Sequence, residues 1–166
     1  MTAEDITRRL NLRPLPIEGG FYAETYRSPD RIPKEALPGR YGGAKSFGTA
    51  IYYLLTPETF SALHRLPSDE IYHFYLGDPV EMLQLRPDGS GEMVTLGTDL
   101  AAGMRPQVPA PRDVWQGSRL RPGGRFALLG TTMAPGFDFE DYEGASRDRL
   151  LRDCPNFADW IRALAR

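Results

Sequence analysis

From residue 46 to residue 133 apolar and polar positions alternate in short runs, and almost every run is closed by glycine or proline. Alternation with a period of two is the signature of a strand with one buried face. The pattern predicts strands over 21–27, 46–55, 60–66, 70–76, 80–86, 92–96, 106–108, 114–120 and 125–133. The breaks between them include Thr56-Pro57, Gly77-Asp78-Pro79, Pro87-Asp88-Gly89 and Pro122-Gly123-Gly124, all good turn formers. About nine short strands at this spacing, with no helix between successive strands, point to an antiparallel jelly roll or small barrel rather than a doubly wound sheet.

Helical spacing is confined to the two ends. Thr2 followed by Asp5, with Ile6 and Leu10 on one side, predicts a short helix over 3–10. Beyond residue 144, Leu150, Leu151, Phe157, Ile161 and Leu164 form apolar stripes, and Pro155 divides them into two helices that pack outside the barrel. Residues 29–45, rich in proline and glycine, read as a long surface loop within a single domain spanning 1–166.

Composition narrows the function. The 166 residues carry 20 Lys and Arg against 22 Asp and Glu, a net charge of −2, so no nucleic-acid partner is expected. The longest apolar run, residues 50–55, is too short for a bilayer, and the acidic start of the chain is no signal peptide, so no membrane partner is expected. The single cysteine, Cys154, makes neither a disulfide nor a thiolate cluster. A cytoplasmic protein is the expectation.

Candidate chemistry gathers in one stretch. The only histidines are His64 and His73. By alternation His64 shares a face with Phe60, Ala62 and Leu66, and Glu70 with Tyr72, Phe74 and Leu76. A polar group on an apolar face needs a hydrogen-bond partner or a ligand. His64 and Glu70 therefore read as a hydrogen-bonded buried pair, as an acid–base pair, or as two ligands of a metal. His73 falls out of phase and points to the opposite face, with Ile71 and Tyr75, a row apolar enough to meet the other sheet, the C-terminal helices or a second subunit. Alternation puts Glu24 beside Tyr22 on one face and Arg27 on the other. No basic cluster for a diphosphate stands out on the pocket strands, and Asp138 reads as a turn residue.

These residues carry a resemblance. His64-x-Leu66-x3-Glu70-x6-Gly77 is similar to the first cupin motif, with Leu66 in place of its second histidine. Pro111-x-Asp113-x2-Gln116 echoes the second motif, with Gln116 in its histidine position and Leu120 in place of its asparagine. Glu18-Gly-Gly-Phe-Tyr22-Ala-Glu24, Thr49-Ala-Ile-Tyr52, Val114-Trp115-Gln116-Gly117 and Ala134-Pro-Gly-Phe137-Asp138-Phe139 extend the likeness from about residue 10 to the C-terminus. Together they resemble the cupin-5 family (DUF985), described as predicted RmlC-like sugar epimerases.

The resemblance implies an all-β cupin barrel, a homodimer and a small-molecule ligand. It implies an epimerase or isomerase acting on a sugar or nucleotide-sugar. His64 would be the base, Glu70 its orienting partner, and Tyr52 or Tyr72 the proton donor on the other face. Tyr22, Glu24, Phe74, Trp115 and Gln116 would contact the substrate. A divalent metal ion, if bound, would sit on His64, Glu70 and Gln116. The alternatives are a ligand-binding cupin without catalysis and a metal-dependent dioxygenase, the latter weakened by the missing histidines.

Overall fold

The computed structural model describes residues 1–166. In chain order its elements are α1 (Ala3–Arg9), β1 (Arg13–Pro14), β2 (Phe21–Arg27), β3 (Arg31–Ile32), β4 (Lys45–Ser46), β5 (Thr49–Leu55), β6 (Phe60–Arg65) and β7 (Glu70–Gly77). There follow β8 (Val80–Leu85), β9 (Gly91–Leu96), β10 (Gln107–Ala110), β11 (Trp115–Leu120), β12 (Ala127–Met133), β13 (Glu143–Gly144), α2 (Arg147–Asp153) and α3 (Ala158–Leu164). Thr2 and Asp5 form the reciprocal capping box that starts α1. The 46–55 run is two elements: β4 pairs with β3 as a separate ribbon, and only β5 joins the barrel.

Two antiparallel sheets face each other as a jelly roll. One runs β1-β2-β5-β12-β7-β10 and the other β13-β6-β11-β8-β9. β6 and β7, adjacent in sequence, therefore belong to opposite sheets, and the 66–69 connection carries the chain across the barrel. Inward positions change character along each strand. On β5, Leu55 and Tyr53 lie in the core while Ile51 and Thr49 line a cavity. On β12, Ala127 and Leu129 are core, Thr131 and Met133 cavity. The barrel is thus filled with side chains at one end and hollow at the other, in the way small barrels either pack or hold one ligand.

Helices cover the outside, as expected. Leu150, Ile161 and Leu164 of α2 and α3 bury the outer face of the five-stranded sheet, against Leu63, Leu83, Leu85 and Trp115. Ile6 of α1 packs on Leu54, Phe126 and Leu128 of the six-stranded sheet. Each fully buried side chain of this kind contributes roughly 1.5–3 kcal/mol. No helix is long and apolar enough to cross a membrane.

Two bulges overturn expectations from strict alternation. The β2–β5 register slips between Glu24 and Tyr26, so Arg27 comes round to the same face as Glu24. The β6–β11 register slips so that Ser61 pairs with Ser118 and His64 with Gln116. Ser61 thereby joins His64 on the inner face, while Phe60 and Leu63 turn to the C-terminal helices.

Candidate functional site

His64 stands at the closed end of a cavity of about 150 Å³, the scale of one small ring. Its side chain is 2% exposed. Nδ1 lies 2.8 Å from the Ala62 carbonyl oxygen. A carbonyl only accepts, so Nδ1 carries the proton and, in the neutral ring, Nε2 keeps its lone pair. Nε2 is 4.0 Å from Glu70 Oε2 and also 4.0 Å from Oε2 of Glu18.

Glu18 was not singled out from the sequence. It sits just before Gly19 (φ +113°) and Gly20 (φ +69°), in a turn that crosses β6, where its carbonyl accepts from the Ala62 N–H at 2.9 Å. A Cβ on Gly19 would collide with the Phe60 carbonyl, so only glycine lets the turn lie this close. Ser61, brought inward by the bulge, donates to Glu18 Oε1 at 2.5 Å. The only signal in the sequence was the Glu-Gly-Gly triplet itself.

Glu70 is buried, and its carboxyl titrates above the ordinary range. Burial is the main cause and the Glu18 charge adds to it, while His64 and the Thr131 and Tyr72 hydroxyls pull it back down. The Gln116 Nε2–H donates to Glu70 Oε2 at 2.9 Å. Burial and the same carboxylates raise the Tyr53 and Tyr72 phenols well above their usual value.

The rim is aromatic, with an arginine stacked on it. Tyr22 lines the cavity, and the Arg13 guanidinium lies 5.3 Å above its ring. Phe137, Phe139 and Tyr142 arrive from the segment after β12. The Tyr142 ring stacks on His64 with centroids 4.9 Å apart, and its hydroxyl donates to the Ile17 carbonyl. Burial, with the Glu18 charge, raises the Tyr142 phenol, and Arg166 opposes the rise. Arg65 fixes this segment through a bidentate pair with Glu143. Lys45, fully buried, holds it further by donating to Asp138, Glu140 and Asp141. Asp138 is therefore an anchor and not only a turn residue, because it also pairs with Arg27. Arg27 in turn grips Glu24, and both line the mouth. Arg27 therefore lines the cavity rather than facing away from it, and Arg13 joins it there.

The other expected site residues divide. Tyr22 and Glu24 line the cavity. Tyr52 does not: it faces outward and meets Tyr75 edge-on, because it alternates with the inward Ile51 and Tyr53. Trp115 also points away, into the layer under α2 and α3, where Arg65 stacks on it at 4.7 Å. Tyr72 and Phe74 face inward but are packed in the filled end. Gln116 reaches the site only through Glu70. His73 lies on the outer face, bonded to Thr132 and Gln107.

The cupin resemblance implies a metal, and the residues present do not fit one. Leu66 lines the cavity where a second histidine would stand. Gln116 turns its amide nitrogen to Glu70, and its oxygen, the only atom that could coordinate, is buried without a partner. No three His, Cys, Asp or Glu side chains converge as metal ligands do. What the arrangement can do is move a proton: one basic nitrogen, two carboxylates and a small enclosed space.

A family model described as "Cupin superfamily (DUF985)" matches residues 4–145. The chain is 32% identical over 133 residues to the uncharacterized protein YML079W of Saccharomyces cerevisiae, a match covering 75% of this chain and 66% of that one. The crystal structure of protein SO0799 from Shewanella oneidensis superposes with a TM-score of 0.87 at 34% identity, covering 100% of this chain and 98% of that one. A hypothetical protein from Leishmania major superposes with a TM-score of 0.88 at 30% identity over 99% of both chains.

Proposed function

The chain belongs to the DUF985 family of the cupin superfamily, and on that premise we propose that its barrel binds a sugar-sized hydroxy-carbonyl compound and isomerises it by proton transfer at His64. The observation that carries this reading is the fixed His64 tautomer, with a free Nε2 set 4.0 Å from two carboxylates inside a ring-sized cavity. Nε2 takes a proton from the carbon next to the carbonyl. The C–H electron pair passes to the carbonyl oxygen as an enediolate, the proton of the neighbouring hydroxyl shifts to that oxygen, and the imidazolium, whose proton exchanges with solvent, delivers a proton to the former carbonyl carbon. Glu18 and Glu70 stabilise the imidazolium while it exists.

A one-base isomerisation is favoured over epimerisation. Inversion at carbon needs a donor on the opposite face, and Tyr52 lies outside the barrel while Tyr72 is packed in its core. The test is incubation with a panel of aldoses and ketoses in D₂O, read by NMR. Deuterium should enter next to the carbonyl with the wild type and not with His64→Ala. Saturable ligand stabilisation without exchange at any carbon would instead favour a binding protein.

The same reading includes a homodimer. Its support is the outer face of the six-stranded sheet, where Ile71 and Tyr75 stay exposed and neither the other sheet nor the C-terminal helices cover them.

A further inference from the structure

The closed end of the cavity lacks a positive charge. Glu18 and Glu70 are 14% and 9% exposed at their side chains, and their one salt-bridging neighbour is His64, which is charged only when protonated. Their other partners, Ser61 for Glu18 and Gln116, Thr131 and Tyr72 for Glu70, are neutral. Buried carboxylates are normally paired or neutralised. Arg27 does not serve, because Glu24 and Asp138 hold it at the mouth. Arg13, which forms no ion pair, lies exposed over Tyr22.

Glu18 Oε2 and Glu70 Oε2 each lie 4.0 Å from a third acceptor, which by its tautomer is His64 Nε2. The spacing discriminates between cations. A metal about 2.1 Å from its ligands would need an angle near 145° to span 4.0 Å, far from the ~109° of a tetrahedral centre. A nitrogen about 2.8 Å from His64 Nε2 and from either carboxylate oxygen spans 4.0 Å at roughly 90°, an angle the N–H donors of an ammonium can reach. The walls above are aromatic: Tyr22, Phe137, Phe139 and Tyr142. Aromatic faces also favour a cation, and they suit the carbon frame that carries one.

We infer that the closed end of the barrel binds the ammonium group of a small primary amine no larger than one sugar ring. The –NH₃⁺ donates to Glu18, Glu70 and His64 and supplies the charge that the site lacks. The inference rests on the cavity being the ligand site and not on proton transfer taking place there. It adds one consequence for that chemistry: a bound ammonium opposes protonation of His64, so amines suppress exchange.

The experiment measures thermal stability and calorimetric binding with ethylammonium chloride and glucosamine. Glucose and N-acetylglucosamine serve as uncharged controls, and sodium chloride holds ionic strength constant. Both amines should give a saturable rise in Tm, and glucosamine should bind at least about tenfold more tightly than glucose or N-acetylglucosamine. Glu18→Gln keeps an oxygen for Ser61 and should weaken amine binding roughly tenfold or more, the scale of a lost charged hydrogen bond. Glu70→Gln is the second variant and should weaken binding in the same way; unliganded Tm and circular dichroism establish that both fold. Glucose binding as well as glucosamine, no saturable shift with either amine, or undiminished binding in both variants would overturn the inference. So would stoichiometric Zn²⁺ or Mn²⁺ that displaces glucosamine. Amine binding without deuterium exchange on any sugar would leave the inference standing and remove the isomerase; exchange on neutral sugars without amine binding would do the reverse.

Discussion

Two clusters of buried charge sit at the open half of this barrel, and they are built on opposite rules. Around Lys45 three carboxylates meet one fully buried ammonium, and all the donors are engaged. Burial opposes the lysine's charge, but the bonds to Asp141, Asp138 and Glu140 outweigh it, and its pKa rises. Around His64 two carboxylates meet no permanent cation. The first cluster is complete within the chain and ties the Phe137–Tyr142 segment over the cavity. The second is incomplete, and only a proton or a ligand completes it. Similar side chains are therefore structural in one place and reactive in the other, and the difference is charge balance rather than residue type.

The largest expected effect breaks the complete cluster. Lys45→Ala leaves the buried Asp141 carboxylate without its cation, and breaking a buried pair costs about 3–5 kcal/mol. At roughly 2–4 °C per kcal/mol for a chain of this size, Tm should fall by about 6–20 °C. A fall of under 3 °C in a thermal melt would show that the cluster is not structural. Next comes Gly19→Ala, which forces a Cβ into the Phe60 carbonyl at a positive φ. A loss of about 1–3 kcal/mol is expected, together with displacement of Glu18, read as lost His64-dependent exchange or amine binding.

Titration sharpens the other side of the comparison. Glu70 holds its proton to higher pH when folded than when unfolded, mainly through burial. Folding therefore takes up a proton between those two values, and wild-type stability falls as pH rises through that window. Glu70→Gln has no such term. It should match or exceed the wild-type Tm by a few degrees at pH 8, and the gap should move in the wild type's favour toward pH 4. A gap independent of pH would mean that Glu70 is not held up by burial. Glu18→Gln should change stability least of the site variants, by under ~1 kcal/mol, since an incomplete cluster contributes little to the fold. On the outer face, Tyr75→Glu should leave the melt nearly unchanged and yield a monomer by sedimentation; a wild type already monomeric at micromolar concentration would dispose of the dimer.

Much of this was readable along the chain. The strand rhythm, the capped first helix, the proline-split C-terminal helices and the inward pair His64 and Glu70 all follow from local periodicity and turn chemistry. The failures have local causes. Tyr52 and Trp115 were grouped by proximity to the motifs, but each has inward neighbours and so points out. Strict alternation puts Arg27 and Phe60 on the wrong face because one extra residue in a strand reverses everything beyond it.

The sequence by itself determined which segments are strands and which way most of their side chains face, because a period of two is a property of neighbouring residues. It also determined the depleted ligand set, since Leu66 and Gln116 stand at histidine positions whatever the packing. Only the tertiary structure decided that Glu18 lies 4.0 Å from His64, that Tyr142 stacks on it from near the other end of the chain, and that Lys45 closes its cluster while His64 does not. Those contacts join residues dozens of positions apart, and Coulomb energy and burial depend on distance in space, which no local pattern records.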